Sequence, residues 1–286
     1  MIKKKDRNTD KSIIDYPVIE IPLRLDLESL KNYPNYQLLY NLLKDTEGDY
    51  GKVIIRLDTQ KIIAITSTGY YLTKHIESIS KLEYLLQRHG IDAEIFDINF
   101  GGKLGNRVYV NYQLPQYIFE INGDKFIPFI QAYSCYDRFL SVGLLTGLYR
   151  AESEGGILFK KRGRLPKRKH FRKSVSFKKD VIDLKYWISD LGNLRRHLKV
   201  LLDRTFSNDS DSLNFYISKV ITKELHRRRY INSKILTRYI NEFGNNEYSL
   251  LWSLSDYITH KYIDNKKRAY DRSREAQINL TNLFFD

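Results

Sequence analysis

Residues 160–179 read KKRGRLPKRKHFRKSVSFKK and hold 11 basic side chains and no acidic one. Such a block repels itself and cannot enter a core without anions to pair with. It therefore divides the chain into two stretches that must build their cores without it. Pro166 interrupts any helix running through the block. The expectation is a basic loop or extended arm over 160–180. In it Lys160, Lys161, Arg162, Arg164, Lys167, Arg168, Lys169, Arg172 and Lys173, with Lys178 and Lys179 behind them, face water or an anionic partner.

The formal net charge is +14, and most of it sits in this block. Residues 1–159 carry 19 basic and 20 acidic groups, a net of −1, and residues 180–286 carry 18 and 14, a net of +4. The rest of the chain is ordinary: 286 residues, 42% hydrophobic and 13% aromatic, enough to bury a sizeable core. Cys135 is the only cysteine, so neither an internal disulfide nor a cysteine metal cluster can form. The start, MIKKKDRNTD, has no apolar run behind it, so no secretory signal is expected. No run approaches the ~20 apolar residues of a membrane span.

Before the block the apolar pattern has the period of strands. KVIIRL at 52–57 and KIIAITS at 61–67 flank a turn at Asp58-Thr59-Gln60 and form a hairpin. Residues 74–88 switch to helical spacing through Ile76, Ile79, Leu82, Leu85 and Leu86. Strands are then expected at 91–98, 107–114, 116–121, 125–134 and 139–150, with a turn at Asn122-Gly123-Asp124. After the block the period is helical, with helices over 184–206, 213–229, 233–243, 246–262 and 265–283. The fold class is α+β: a curved, mostly antiparallel sheet with packed helices, then a C-terminal helical region. The expected divisions are a flexible N-terminus over 1–15, a sheet-rich core over 16–159, the arm, and helices over 181–286 packed on that core.

Several motifs bear on chemistry. Gly101 and Gly102, with Lys103 and Arg107, can offer backbone N–H groups and charge to an anion. The spacing is neither a Walker loop nor a dinucleotide fingerprint, and the bland alternative is a tight loop between strands. Lys219, Lys223 and Arg227 recur every four residues and give a helix one basic face, which suits a phosphate backbone or plain water. Asp256 and His260 share a helix face but lack a third ligand, so local pairing is the simpler reading and no metal or cofactor is expected. Asp137 falls in a turn between apolar strands. No enzyme signature emerges from these patterns, and a two-metal nuclease stays as the enzymatic alternative.

Three segments carry a resemblance. They are RLDTQKIIAITSTGYY at 56–71, GGKLGNRVYVNYQL at 101–114 and GDKFIPFIQAYSCYDRFLSVGLLTGLYR at 123–150. The C-terminal stretch LLWSLSDYITHKYIDNKKRAYDRSREAQINLTNLF adds a tryptophan helix. Together they resemble the phage and plasmid family called domain of unknown function 932 (DUF932). On that resemblance Asp137, Arg150, Trp252, Asp256, His260 and Arg272 are the positions carried over. The family's aspartate-glycine-serine turn reads Asp137-Arg138-Phe139 here. The resemblance implies a bacteriophage or mobile element, acting in the host cytoplasm or the virion, but supplies no reaction.

The function expected is non-enzymatic nucleic-acid binding, with single-stranded DNA held by its backbone in replication, recombination or packaging. Phe171 and Phe177 supply rings that can stack on bases. The alternatives are a virion structural or cargo protein, or an inhibitor of host defence acting by protein contact. The partners expected are nucleic acid, a second copy of the chain, or a virion or host protein, and no membrane.

Overall fold

The structure, a computed structural model, describes residues 9–24, 37, 49–102, 104–136, 142–151, 156–159, 178–206, 215–216, 233–261 and 269–285. Its fold is α+β, with antiparallel sheets in the first part and a helical C-terminal region. The expected single sheet is in fact two among the described residues.

The smaller sheet has the order β1 (Val18–Arg24), β2 (Asp49–Arg56), β3 (Lys61–Thr66). The expected turn at 58–60 joins β2 to β3, with Gln60 at φ 53. Register slips by one residue between Ile54 and Ile55, so Ile63 is the extra residue of a bulge. One face of this sheet buries Val18, Ile54, Ile63 and Ala64 against Tyr16, Tyr70 and Tyr136.

The larger sheet contains β4 (Glu94–Gly101), β5 (Arg107–Gln113), β6 (Phe119–Ile121), β7 (Asp124–Cys135), β8 (Gly143–Arg150) and β9 (Gly156–Phe159). The order is β4-β5-β7-β8-β9, and β6 pairs with β7. Asn122 at φ 48 and Gly123 at φ 83 make the tight link from β6 to β7. Strands β8 and β9 are buried at every position, because helices cover both faces.

On one face Val108, Val110, Tyr112, Ile130, Leu144 and Leu148 meet helix α1 (His75–Arg88), α2 (Lys178–Ser189), α3 (Leu191–Asp203), α4 (Ser233–Phe243) and α5 (Glu247–Asp256). On the other face Tyr109, Phe129, Tyr133, Leu145 and Leu158 meet helix α6 (Ala269–Phe285) through Ile278 and Tyr270. The second stripe of α6, Ala276, Leu280 and Phe284, joins the first core, so sheet and C-terminal helices share one apolar interior.

Other departures are local. The helix expected over 184–206 is two helices broken at Asp190. Leu184, Trp187, Leu191, Leu194, Leu198 and Leu201 keep one apolar stripe across the break, so periodicity does not register it. Asp190 accepts from Asn193 and stands two residues before Gly192, both unfavourable inside a helix. The C-terminal helix is described over Ala269–Phe285, its expected start at 265 lying outside the described residues, and α5 ends at Asp256 in a wide turn over Tyr257–Lys261. Strand β9 was not expected. The stripe over 213–229 lies outside the described residues, apart from Phe215 and Tyr216.

Candidate nucleic-acid interface

Strand β9 and helix α2 bracket the basic segment. Every β9 residue is buried, and α2 anchors itself through Leu184 and Trp187. Both ends of residues 160–177 are thus tied to the rigid body. Residues 160–177 themselves, including Lys160, Lys161, Arg162, Arg164, Lys167, Arg168, Lys169, Arg172 and Lys173, lie outside the described residues. Lys178 and Lys179 are corrected from loop to the first turn of α2.

The two helices after the segment add exposed cations. Helix α2 shows Lys185 and Tyr186 to water, Tyr186 at 70% exposure. Helix α3 exposes Arg195, Arg196 and Lys199 opposite its buried leucines. Arg196 donates to Asn193, which in turn donates to Asp190. Cations beside an exposed ring suit phosphates flanked by unstacked bases. Sequence reading passed over these residues, although 195, 196 and 199 share one helical face whose signal is their spacing against Leu194 and Leu198.

The glycine-rich loop does hold an anion, but the anion is the protein's own. Gly102 N–H donates to Asp271 Oδ2 at 3.0 Å, and Arg107 Nη1 donates to the same oxygen at 2.8 Å. Tyr109 donates its hydroxyl to Asp271 Oδ1. Gly102 takes φ +73, and a Cβ on Gly101 would collide with the Asp271 carboxylate. Arg107 and Asp271 are 14% and 13% exposed, so this cation is spent on joining α6 to the sheet. Beyond them Arg274 Nε donates to Gln131 Oε1 at 2.7 Å, and Gln131 Nε2 donates to Tyr270 at 2.9 Å. Burial, with the Asp271 carboxylate adding to it, holds the Tyr109 hydroxyl far above the ordinary tyrosine range.

No family model matches the chain, and no characterised protein or solved structure does.

Of the family-like positions, Arg150, Trp252 and Asp256 fall in the core. Arg150 is wholly buried at the end of β8, ion-paired to Asp124 at 2.5 Å. Its Nη1 donates to Tyr239 at 2.9 Å, and Tyr239 donates on to Asp256 Oδ2 at 2.5 Å. Tyr248 donates to the second oxygen of Asp124. Burial, the largest single influence, works against the Arg150 charge, yet the Asp124 hydrogen bond and carboxylate together with Tyr239 and Tyr248 outweigh it and raise the guanidinium above its usual value. Trp252 is buried against Phe126, 5.3 Å between ring centres. So Arg150, Trp252 and Asp256 knit sheet to helices rather than face a substrate. Asp256 accepts from Tyr239, and the side chain of His260, its expected local partner, lies outside the described residues.

The side chains of His260 and Arg272 lie outside the described residues. Asp137, Lys103, Lys219, Lys223 and Arg227 lie outside the described residues. Among the described residues no three His, Cys, Asp or Glu side chains gather to hold a metal ion. Among them, too, no helix is long and apolar enough to cross a membrane.

Proposed function

We propose that the protein binds nucleic acid through its phosphate backbone, with single-stranded DNA as the favoured form. The single observation behind this reading is the acid-free run of 11 cations over residues 160–179, nine of them between β9 and α2 and two in the first turn of α2. Lys185, Arg195, Arg196 and Lys199 on the following helices extend the cationic surface, and Tyr186 adds a ring for stacking. Cations grouped this way gain affinity by releasing counterions from a polyanion. The core network of Arg150 and the Asp271 latch use their charges internally, so Arg150 and Arg107 are not part of this cationic surface. The motif resemblance supports a bacteriophage or mobile-element setting, in replication, recombination or packaging.

Fluorescence anisotropy with a labelled oligothymidine tests the reading. Changing Lys160, Lys161, Arg162, Arg164, Lys167 and Arg168 to Gln is expected to weaken binding by about 100-fold at moderate salt. Unchanged affinity would overturn it. Tyr186→Ala is expected to cost about 1–3 kcal/mol on single strands and little on duplex.

A further inference from the structure

The smaller sheet has a second face with no described cover. Its pairing sets Ile19 opposite Ile55 and Ile55 opposite Ile62 in one row, and Ile21, Val53 and Ile65 in the next. The bulge at Ile63 is what lets Ile62 and Ile65, three residues apart, point the same way. Ile19 and Ile21 are 38% and 43% exposed, and Ile62 and Ile65 are 58% and 62% exposed. Large aliphatic side chains exposed singly are ordinary, but two adjacent rows of them form a patch that marks a contact.

The charges of this sheet are elsewhere. Lys52 pairs with Glu20 at 2.9 Å on the opposite face. Arg56 pairs with Asp58 at 2.8 Å and lies over the Tyr16 ring. Among the described side chains this face is therefore apolar and uncharged, and there it offers an acidic or basic partner nothing to pair with. Its area is on the order of 500 Å², the size at which an apolar patch marks a contact. Two such faces together bury about 1,000 Å², the lower bound of a specific interface. A two-fold axis sets any patch against its own copy, so an apolar surface without charge is complementary to itself. Among the described residues β3 also pairs only with β2, which leaves its outer edge beside this surface.

We propose that the β1–β2–β3 face is a homodimer interface, with the Ile19–Ile55–Ile62 and Ile21–Val53–Ile65 rows of two copies packed together. The dimer carries two basic segments, so one strand of nucleic acid can engage both, and the second contact is made at a high effective concentration. The inference does not rest on nucleic-acid binding, since the face is far from the segment in sequence and has no charge.

Sedimentation velocity on nuclease-treated full-length protein, in high salt and over a dilution series, tests it. An apolar contact survives the salt that removes nucleic acid. The wild type is expected to sediment at twice its 34.0 kDa monomer mass. The double variant I62K/I65K is expected to halve that mass, while Tyr84→Lys, on an exposed site of α1, leaves it doubled. A wild-type monomer throughout the series overturns the proposal, whether another protein or another part of this chain covers the face. A folded I62K/I65K protein that keeps the doubled mass overturns it too. Should the variant lose its fold by circular dichroism, hydrogen exchange on the wild type decides. Slower exchange across β3 with rising concentration supports the interface, and exchange independent of concentration overturns it. Either failure removes only the bivalent gain and leaves binding by a single basic segment to be measured on its own, so the two proposals fall separately.

Discussion

Arg150 Nη2 lies 2.5 Å from Asp124 Oδ1 with both side chains out of water, closing the end of β8 onto the start of β7. Tyr239 on α4 and Tyr248 on α5 add hydrogen bonds to this pair from the helical side. A buried ion pair contributes little net stability, but losing one member strands the other. Asp124→Asn is expected to lower unfolding stability by about 3–5 kcal/mol in urea titration. The matched pair R150M/D124L is expected to cost less than D124N alone. A larger loss in the double variant would refute the account of this network.

The Asp271 latch gives a second prediction. Asp271→Ala removes the acceptor for Gly102 N–H and Tyr109 and the charge opposite Arg107. A loss of about 2–4 kcal/mol is expected, read by thermal unfolding. Gly102→Ala, forced to φ +73, is expected to destabilise by more than about 1 kcal/mol. DNA affinity measured in the same D271A protein is expected to stay within about threefold, because Arg107 serves structure.

Burial, with a carboxylate beside each, holds the Tyr109, Tyr112 and Tyr248 hydroxyls well above their ordinary value. A folded pKa raised above the unfolded one means that stability is intact below the unfolded value. It falls as pH rises past about 10. Each such tyrosine adds about 1.4 kcal/mol per pH unit to the slope in that window. Urea midpoints across the alkaline range check this, and Tyr112→Phe is expected to flatten the slope by one tyrosine's share. A stability flat beyond pH 11 would contradict it (roughly one unit past the unfolded value).

Much of the architecture is legible because apolar period carries it. KVIIRL and KIIAITS alternate and are strands; Leu82, Leu85 and Leu86 step as a helix and are one. Asn122-Gly123 encodes its own turn through positive φ. What alternation cannot say is which face of a strand is covered, so the exposure of Ile62 and Ile65 is not legible in KIIAITS. Strand β9, GILF, is too short to show a period. The Arg107–Asp271 contact spans 164 residues, and no local pattern pairs a glycine-loop arginine with a distant carboxylate. Arg107 therefore read as a phosphate cation, and Arg150 and Asp256 as family positions without a role. The candidate interface was legible as charge, while its continuation on α2 and α3 needed the helices in place to show which cations face water.

The account's central claim is that the acid-free segment meets polyanion, and the salt dependence of DNA affinity tests it most directly. Titrating the full-length protein against labelled single-stranded DNA at several salt concentrations gives a log–log slope. With about half of the segment's cations on phosphates, a slope of roughly −4 is expected, falling toward −1 when the cations of 160–168 are changed to Gln. A slope near zero, or one that the substitutions leave unchanged, would contradict the account.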